Sequence, residues 1–299
     1  IERTRSRDNL FRNAPTAIVV GASLISRIFE EGIESEEVVV MFSEDRYGGK
    51  FASAIECQIG ILYGGGRMLS RLPTIIRPGK LSYAEDLQKI GKPSAVALYT
   101  DPFSAAVILH DWRVMRGRQD TKWFATHTLD SAVFLDNIVG DSAENLNGVH
   151  FPIENEGDFA EAFADEWNGE PPLKEAYFYF DAINVLALAI EAASREQGGG
   201  IPTTDRIGAY IKETSRPNQE GTSLAVSHDR IHEGLEHIGE GGDVDYVGLT
   251  GPMDYNDDGY VEEATIGFWR IQEERRFSYE EGEYDYTRWL GDSADRCER

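Results

Sequence analysis

The chain has 299 residues, 41% of them hydrophobic, with 53 acidic against 29 basic side chains and a formal net charge of −24. That length is enough for two lobes, each burying a core of its own. The charge repels polyphosphate backbones and anionic membrane surfaces, which excludes nucleic acid as a partner, and charges interrupt the apolar runs, so no direct membrane insertion is expected.

The sequence opens at Ile1, and Glu2 to Arg7 lacks the apolar core of a signal peptide, so processing or truncation is expected to have removed the natural start. Gly21 to Ile33 carries Leu24, Ile25, Ile28 and Phe29 at helical spacing, with Glu30 and Glu31 opposite. Val38 to Phe42 is a continuous apolar run of strand length, the mark of a strand covered on both faces of a parallel sheet. Ser43 to Gly49 then reads as the loop at its carboxyl end, where open α/β sheets place ligands.

The pattern repeats. Lys50 to Ile59 predicts a helix, Met68 to Leu72 a strand, Tyr83 to Ile90 a helix and Ala95 to Tyr99 a buried strand. Asp101-Pro102 starts a helix running to Met115. Trp123 to Thr126 is the next strand, Asp130 is expected to cap a helix to Val139, and Val149 to Ile153 closes the run. Such alternation argues for a right-handed, doubly wound parallel sheet.

After Pro152, helices are expected over 158–167, 175–194, 204–214 and 229–238, with no strand until Val244. Val244, Tyr246 and Val247 lead into Thr250-Gly251-Pro252, where the glycine permits a sharp change of direction that Pro252 fixes. Asn256-Asp257-Asp258-Gly259 has the composition of a hairpin turn, and Thr265 to Ile271 reads as a strand.

The acidic turn also matches the opening of a calcium loop, but Thr265 stands where the bidentate Glu is needed, so a plain turn is the reading. His228, His232 and Glu236 share a helix face, yet Ile231, Leu235 and Ile238 define the buried side, which leaves the histidines solvated and no metal expected. Cys57 and Cys297 form neither a C-x-x-C pair nor a disulfide framework; Cys57 is expected to face a core, and Cys297 is either free or paired elsewhere. Gly64-Gly65-Gly66 and Gly198-Gly199-Gly200 read as spacers. The G-x-S-x-G, G-x-x-x-x-G-K-[ST] and G-x-G-x-x-G motifs do not occur, which closes the usual sequence routes to hydrolase, NTPase and dinucleotide enzyme. No carboxylate is placed in sequence to orient His127 within Thr126-His127-Thr128, so neither enzyme activity nor a cofactor is expected.

The order of features across Gly241 to Ile271 resembles the C-terminal crossover of the type I periplasmic binding proteins, in the branch that includes the leucine-isoleucine-valine-binding protein and receptors for amino acids, amides and urea. Tyr179 to Ile190 is similar to the family's long helix, and Asn9 to Pro15 to its first crossing between lobes. The resemblance implies an α/β, two-lobe type I fold with parallel doubly wound sheets and three crossings, near Ala14, Pro152 and Gly251. It implies a complete lobe over 16–152 plus 256–290, a second over 1–15 plus 153–255 whose N-terminal strands are absent, and a tail over 291–299.

For function, the resemblance implies an extracytoplasmic solute-binding protein, periplasmic or extracellular and with or without a lipid anchor, that closes about its crossings on a small polar ligand. Its partner would be the membrane permease of an ABC importer. The alternatives are a ligand-sensing ectodomain of a receptor or regulator and, from another class, an enzyme on a related α/β fold. Tyr47 falls where the family presents a tyrosine to ligand, and reads equally as a structural loop residue. Asp101 and Thr128 fall where the branched-chain amino acid receptors have a second tyrosine and an ammonium-binding glutamate, two departures that put an ordinary α-amino acid ligand in doubt. Asp101 could supply the anion for a cationic ligand or serve only as a helix cap. Phe103, Asp130 and Tyr177 are further ligand-binding candidates.

Overall fold

Thr16 ends an extended segment, and the Val19 amide donates to its hydroxyl at 3.4 Å, which starts α1 (Ala17–Glu30). Val20, Leu24, Ile25 and Ile28 form its buried stripe. The chain then enters β1 (Val38–Ser43), whose apolar residues are buried as the continuous run predicts. In the computed structural model the described residues are 10–62, 73–117, 120–144, 146–153, 157–216, 221–256, 259–261, 265–272, 275–280 and 284–285.

There follow α2 (Arg46–Leu62), β2 (Thr74–Ile76), α3 (Ala84–Ile90), β3 (Ala95–Tyr99), α4 (Pro102–Arg116), β4 (Lys122–Ala125), α5 (Ala132–Asn137) and β5 (Leu146–His150). The five strands pair in parallel in the order β2-β1-β3-β4-β5, the doubly wound arrangement that the alternation predicts.

The next stretch holds α6 (Gly157–Glu166), α7 (Lys174–Glu196), α8 (Thr204–Glu213), β6 (Leu224–Ser227), α9 (Ile231–Glu240), β7 (Val244–Gly248) and β8 (Gly251–Pro252). β6 and β7 are parallel, and β8 returns antiparallel on β7. Val185 and Leu188 of α7 pack with Val226, Ile238, Val244 and Tyr246 in this core.

The chain ends its described course in β9 (Thr265–Gln272), β10 (Arg276–Tyr279) and β11 (Tyr284–Asp285). β9 lies antiparallel against β5 and carries β10 on its other side, so the parallel sheet gains an antiparallel edge. Trp269 of β9 is 1% exposed, donates its indole N–H to the Val149 carbonyl at 2.9 Å, and lies over Gly148. A Cβ on Gly148 would come within 2.2 Å of that ring, so the absence of a side chain there is what admits the tryptophan.

Contacts divide the chain into two compact units, Thr16–Phe151 with Thr265–Arg299 and Ile1–Pro15 with Pro152–Ala264. Tyr255, Tyr260 and Val261 therefore group with the second unit, where the Val261 amide donates to the Arg12 carbonyl at 3.2 Å, and not with the 16–152 lobe. The boundary between the two units falls between Ala264 and Thr265.

Several sequence expectations need correction. A strand precedes Val244: β6 is only four residues long, and parallel pairing with β7, which buries Val226, supplies what its short pattern does not show. Ser131, not Asp130, caps α5, its hydroxyl accepting the Phe134 amide at 3.3 Å. The last parallel strand runs over Leu146–His150, earlier than Val149 to Ile153. α7, with 23 residues, is long and apolar enough to cross a bilayer by length and composition, where the sequence reading found no such run; its buried Asp181 and Asn184 and its packing on α8 and α9 are those of a core helix. Cys57 is half-buried and disulfide-bonded, not a core thiol. Met68 to Leu72, Gly64 to Gly66, Asp257-Asp258 and Cys297 lie outside the described residues.

Candidate functional site

The carboxyl ends of β1, β3, β4 and β5 form one rim of the larger unit. β1 ends in Ser43, whose buried hydroxyl donates to Thr100 Oγ1, just past β3, at 2.8 Å. The Thr100 hydroxyl leans on Asp101 Oδ2 at 3.4 Å. Past β4, the hydroxyls of Thr126 and Thr128 meet at 2.8 Å, and that of Thr128 donates to the Thr100 carbonyl at 3.0 Å. The strand ends are thus knitted together by their own hydroxyls.

Two helices start at this rim. Asp45 Oδ1 accepts the Gly48 amide at 2.7 Å in the first turn of α2, and Asp101 Oδ1 accepts the Ser104 amide at 2.9 Å as the N-cap of α4. Each is a side-chain oxygen satisfying an amide that the helix itself leaves open. Because α2 begins at Arg46, Tyr47 sits in a helical turn and not in a post-strand loop. A Cβ on Gly48 would stand 2.3 Å from the Ser43 carbonyl, so glycine lets this turn close on the strand end.

Aromatic rings line the same rim. Tyr47 lies 4.8 Å from Tyr99 and 6.0 Å from His127, and His127 stacks at 4.4 Å, tilted 34°, on Phe151, which follows β5. Phe51 closes the series behind Tyr99 at 6.0 Å. Burial, then the charge of Asp45 and a hydrogen bond to it, then the charge of Asp101, push the Tyr99 phenol up to about 12.

Of the residues proposed from sequence, Tyr47, Asp101 and Thr128 come together at this rim, although the Thr128 hydroxyl is held by Thr126 and Thr100. Phe103 stands on the first turn of α4, 50% exposed. Asp130 is buried and accepts the Tyr279 hydroxyl from β10 at 2.8 Å, a tie inside the unit. Tyr177 belongs to the other unit, 4% exposed, with its ring 5.1 Å from Phe159. Sequence reasoning missed Tyr99, Asp45 and Phe151 as rim residues. The available signal was positional: each ends a parallel strand or follows one within two residues.

In the helical face singled out for metal, His232 and Glu236 form an exposed pair at 3.2 Å, while His228 packs on Phe180 at 6.5 Å. Among the described residues no group of three or more His, Cys, Asp or Glu side chains is placed to hold a metal ion.

No protein-family model matches the sequence, and no curated protein does. Solved structures do. A leucine binding protein from Thermotoga maritima matches with a TM-score of 0.66 at 16% identity, over 92% of this chain and 67% of its own. An extracellular ligand-binding receptor from Rhodopseudomonas palustris matches at 0.60 with 15% identity, over 90% and 69%. A branched-chain amino acid transporter substrate binding protein from Streptococcus pneumoniae, solved with isoleucine, matches at 0.58 with 13% identity, over 89% and 66%. The fold is therefore that of the type I periplasmic binding proteins. The chain spans about two thirds of the length of these structures.

Proposed function

We propose that this protein is a solute-binding protein of an ABC-type importer, acting outside the cytoplasm and passing a small polar ligand to a membrane permease without chemical change. The observation that carries this reading is the rim, where three neighbouring strand ends of one sheet, those of β1, β3 and β4, present Tyr47, Tyr99, Asp101 and His127 together. Open α/β sheets bind ligands at the carboxyl ends of their strands. The likeness of fold to substrate-binding proteins supports the same reading. Tyr47 and Asp101 are the residues proposed to meet the ligand, with Phe103 at the edge.

Thermal unfolding of the protein against a panel of amino acids, amides and small amines tests it. Saturable stabilisation by one class, with the solute recovered unchanged by mass spectrometry, is the expected result. Conversion of the solute would favour an enzyme, and a panel without any stabilising member would overturn the solute-binding reading. A ligand-sensing ectodomain is the second reading, kept by the likeness to the Rhodopseudomonas receptor; a signalling domain in the same polypeptide would decide for it.

A further inference from the structure

We infer that the rim selects a small organic cation, an amine or guanidine, whose positive group sits against Asp101 and the faces of Tyr47 and Tyr99. The inference rests on the solute-binding reading and names the ligand class.

It follows from counting hydroxyl protons. A serine or threonine hydroxyl has one proton to donate. Ser43 donates to Thr100, Thr100 faces Asp101, and Thr128 donates to the Thr100 carbonyl, which leaves the Thr126 proton for the Thr128 oxygen. The four serine and threonine hydroxyls of the rim therefore spend their donors within the protein, and none of these four remains for the carboxylate or phosphate of an anionic ligand. The Tyr99 hydroxyl is hydrogen-bonded to Asp45 in the same way.

Asp45 and Asp101 each stand at the amide end of a helix that starts here, so what the side chains of the rim offer a ligand is acceptor oxygen and ring face. Asp101 Oδ1 is fixed by the Ser104 amide, which orients the carboxylate, and among the described residues Oδ2 meets the Thr100 hydroxyl in a long contact of 3.4 Å. The carboxylate is held in place before any ligand arrives, so little ordering cost falls on binding. Tyr47 and Tyr99, half-buried with ring centroids 4.8 Å apart, stand at the same rim, with Tyr99 close enough to feel the charge of Asp101, and a cation within about 6 Å of such a ring centroid is attracted by the ring quadrupole. The net charge of −24 gives cations a favourable approach from a distance.

Calorimetry at low salt with putrescine, agmatine and choline, set against valeramide and glutarate of similar size, tests the inference. The cations should bind and the amide and dicarboxylate should not. Asp101→Asn keeps a side chain that caps helices equally well, so the unfolding midpoint should hold while cation affinity falls about thirtyfold, the loss expected when a desolvated charge loses its partner. Asp101→Ser, another good cap, should do the same should the Asn variant fold poorly. Binding of valeramide or glutarate as tightly as the amines, or unchanged cation affinity in both variants, would overturn the cation assignment while leaving the solute-binding reading in place. Failure of the unsubstituted protein to bind these probes or any amino acid or amide would overturn both.

Discussion

The carboxylate of Asp181, on α7, accepts both the hydroxyl of Thr250, at 2.7 Å, and its amide, at 2.8 Å, across 69 residues of sequence. Its other oxygen accepts the Tyr246 hydroxyl and the Leu249 amide, each at 2.9 Å. Asp181 is 0% exposed, so α7 holds the β7–β8 turn through a buried carboxyl group whose two oxygens each meet two donors. Gly248 makes the approach feasible, since a Cβ there would stand 2.4 Å from the carboxylate carbon.

Asp181→Asn replaces one acceptor oxygen by an amide nitrogen that faces two of these donors. Stability should fall by about 2 to 4 kcal/mol, and Thr250→Val should cost about 1 to 2 kcal/mol, given that a hydrogen bond to a charged group contributes about 1.5 to 3 kcal/mol and that a buried group left unsatisfied adds its desolvation cost. Urea unfolding should show lower midpoints with unchanged slopes. Wild-type midpoints in both variants would show that the turn is held by other contacts.

Tyr47→Ala should weaken binding of whichever solute the calorimetric panel retains by about 1 to 3 kcal/mol, the scale of losing an aromatic anchor. Tyr47→Phe keeps the ring packed on Tyr99 and should lose less. Equal affinity in the alanine variant and the parent would remove Tyr47 from the site.

Gly148→Ala forces a methyl group against the Trp269 ring, which is 1% exposed and has no room to retreat. Overpacking of this kind costs about 1 to 3 kcal/mol. The fluorescence of the unfolding transition should report a lowered melting temperature.

Glu213 and Asp245 both have pKa values raised above the ordinary carboxylate range, first by burial and then by the charge of Asp243, with Glu196 adding to the effect at Glu213. A carboxyl whose folded value is raised contributes stability that is full below its unfolded value and is lost as pH rises through the folded one. These two groups therefore favour the fold in mild acid and oppose it at neutral pH. Asp243→Asn should raise the neutral-pH melting temperature and reduce the difference between neutral and mildly acid buffer, while keeping an acceptor for the Ser223 hydroxyl. A gain of equal size at both pH values would point to a cause other than charge.

Tyr179, Ile183, Leu186 and Ile190 recur at helical spacing along α7 and are 71, 65, 43 and 39% exposed. A contiguous apolar stripe of this kind promotes association. The 299-residue protein should bind a hydrophobic dye and show concentration-dependent light scattering, and Ile183→Gln with Leu186→Gln should reduce both without lowering the unfolding midpoint. A dye-negative, monodisperse parent would show that the stripe is covered.

Local pattern was enough for β1, β3 and β4 and the helices around them, because a strand buried on both faces must be continuously apolar and a surface helix must carry a stripe, whereas β2, with Ile75 exposed, and the bounds of β5 were not legible in this way. It was enough, too, for Asp101 before Pro102, since the need to cap a helix is settled within four residues. Other features depend on partners distant in sequence. β6 owes its existence to β7, and the antiparallel edge owes its place to Trp269 of β9 finding Gly148 on β5, a match of one absent side chain to one large ring. The rim is the same case: Tyr47, Tyr99, His127 and Phe151 are far apart in the chain and adjacent only because parallel strands end together. Periodicity records which face a residue turns to its own element, whereas a site is made where several elements end, and that neighbourhood exists only once strand order and register are set.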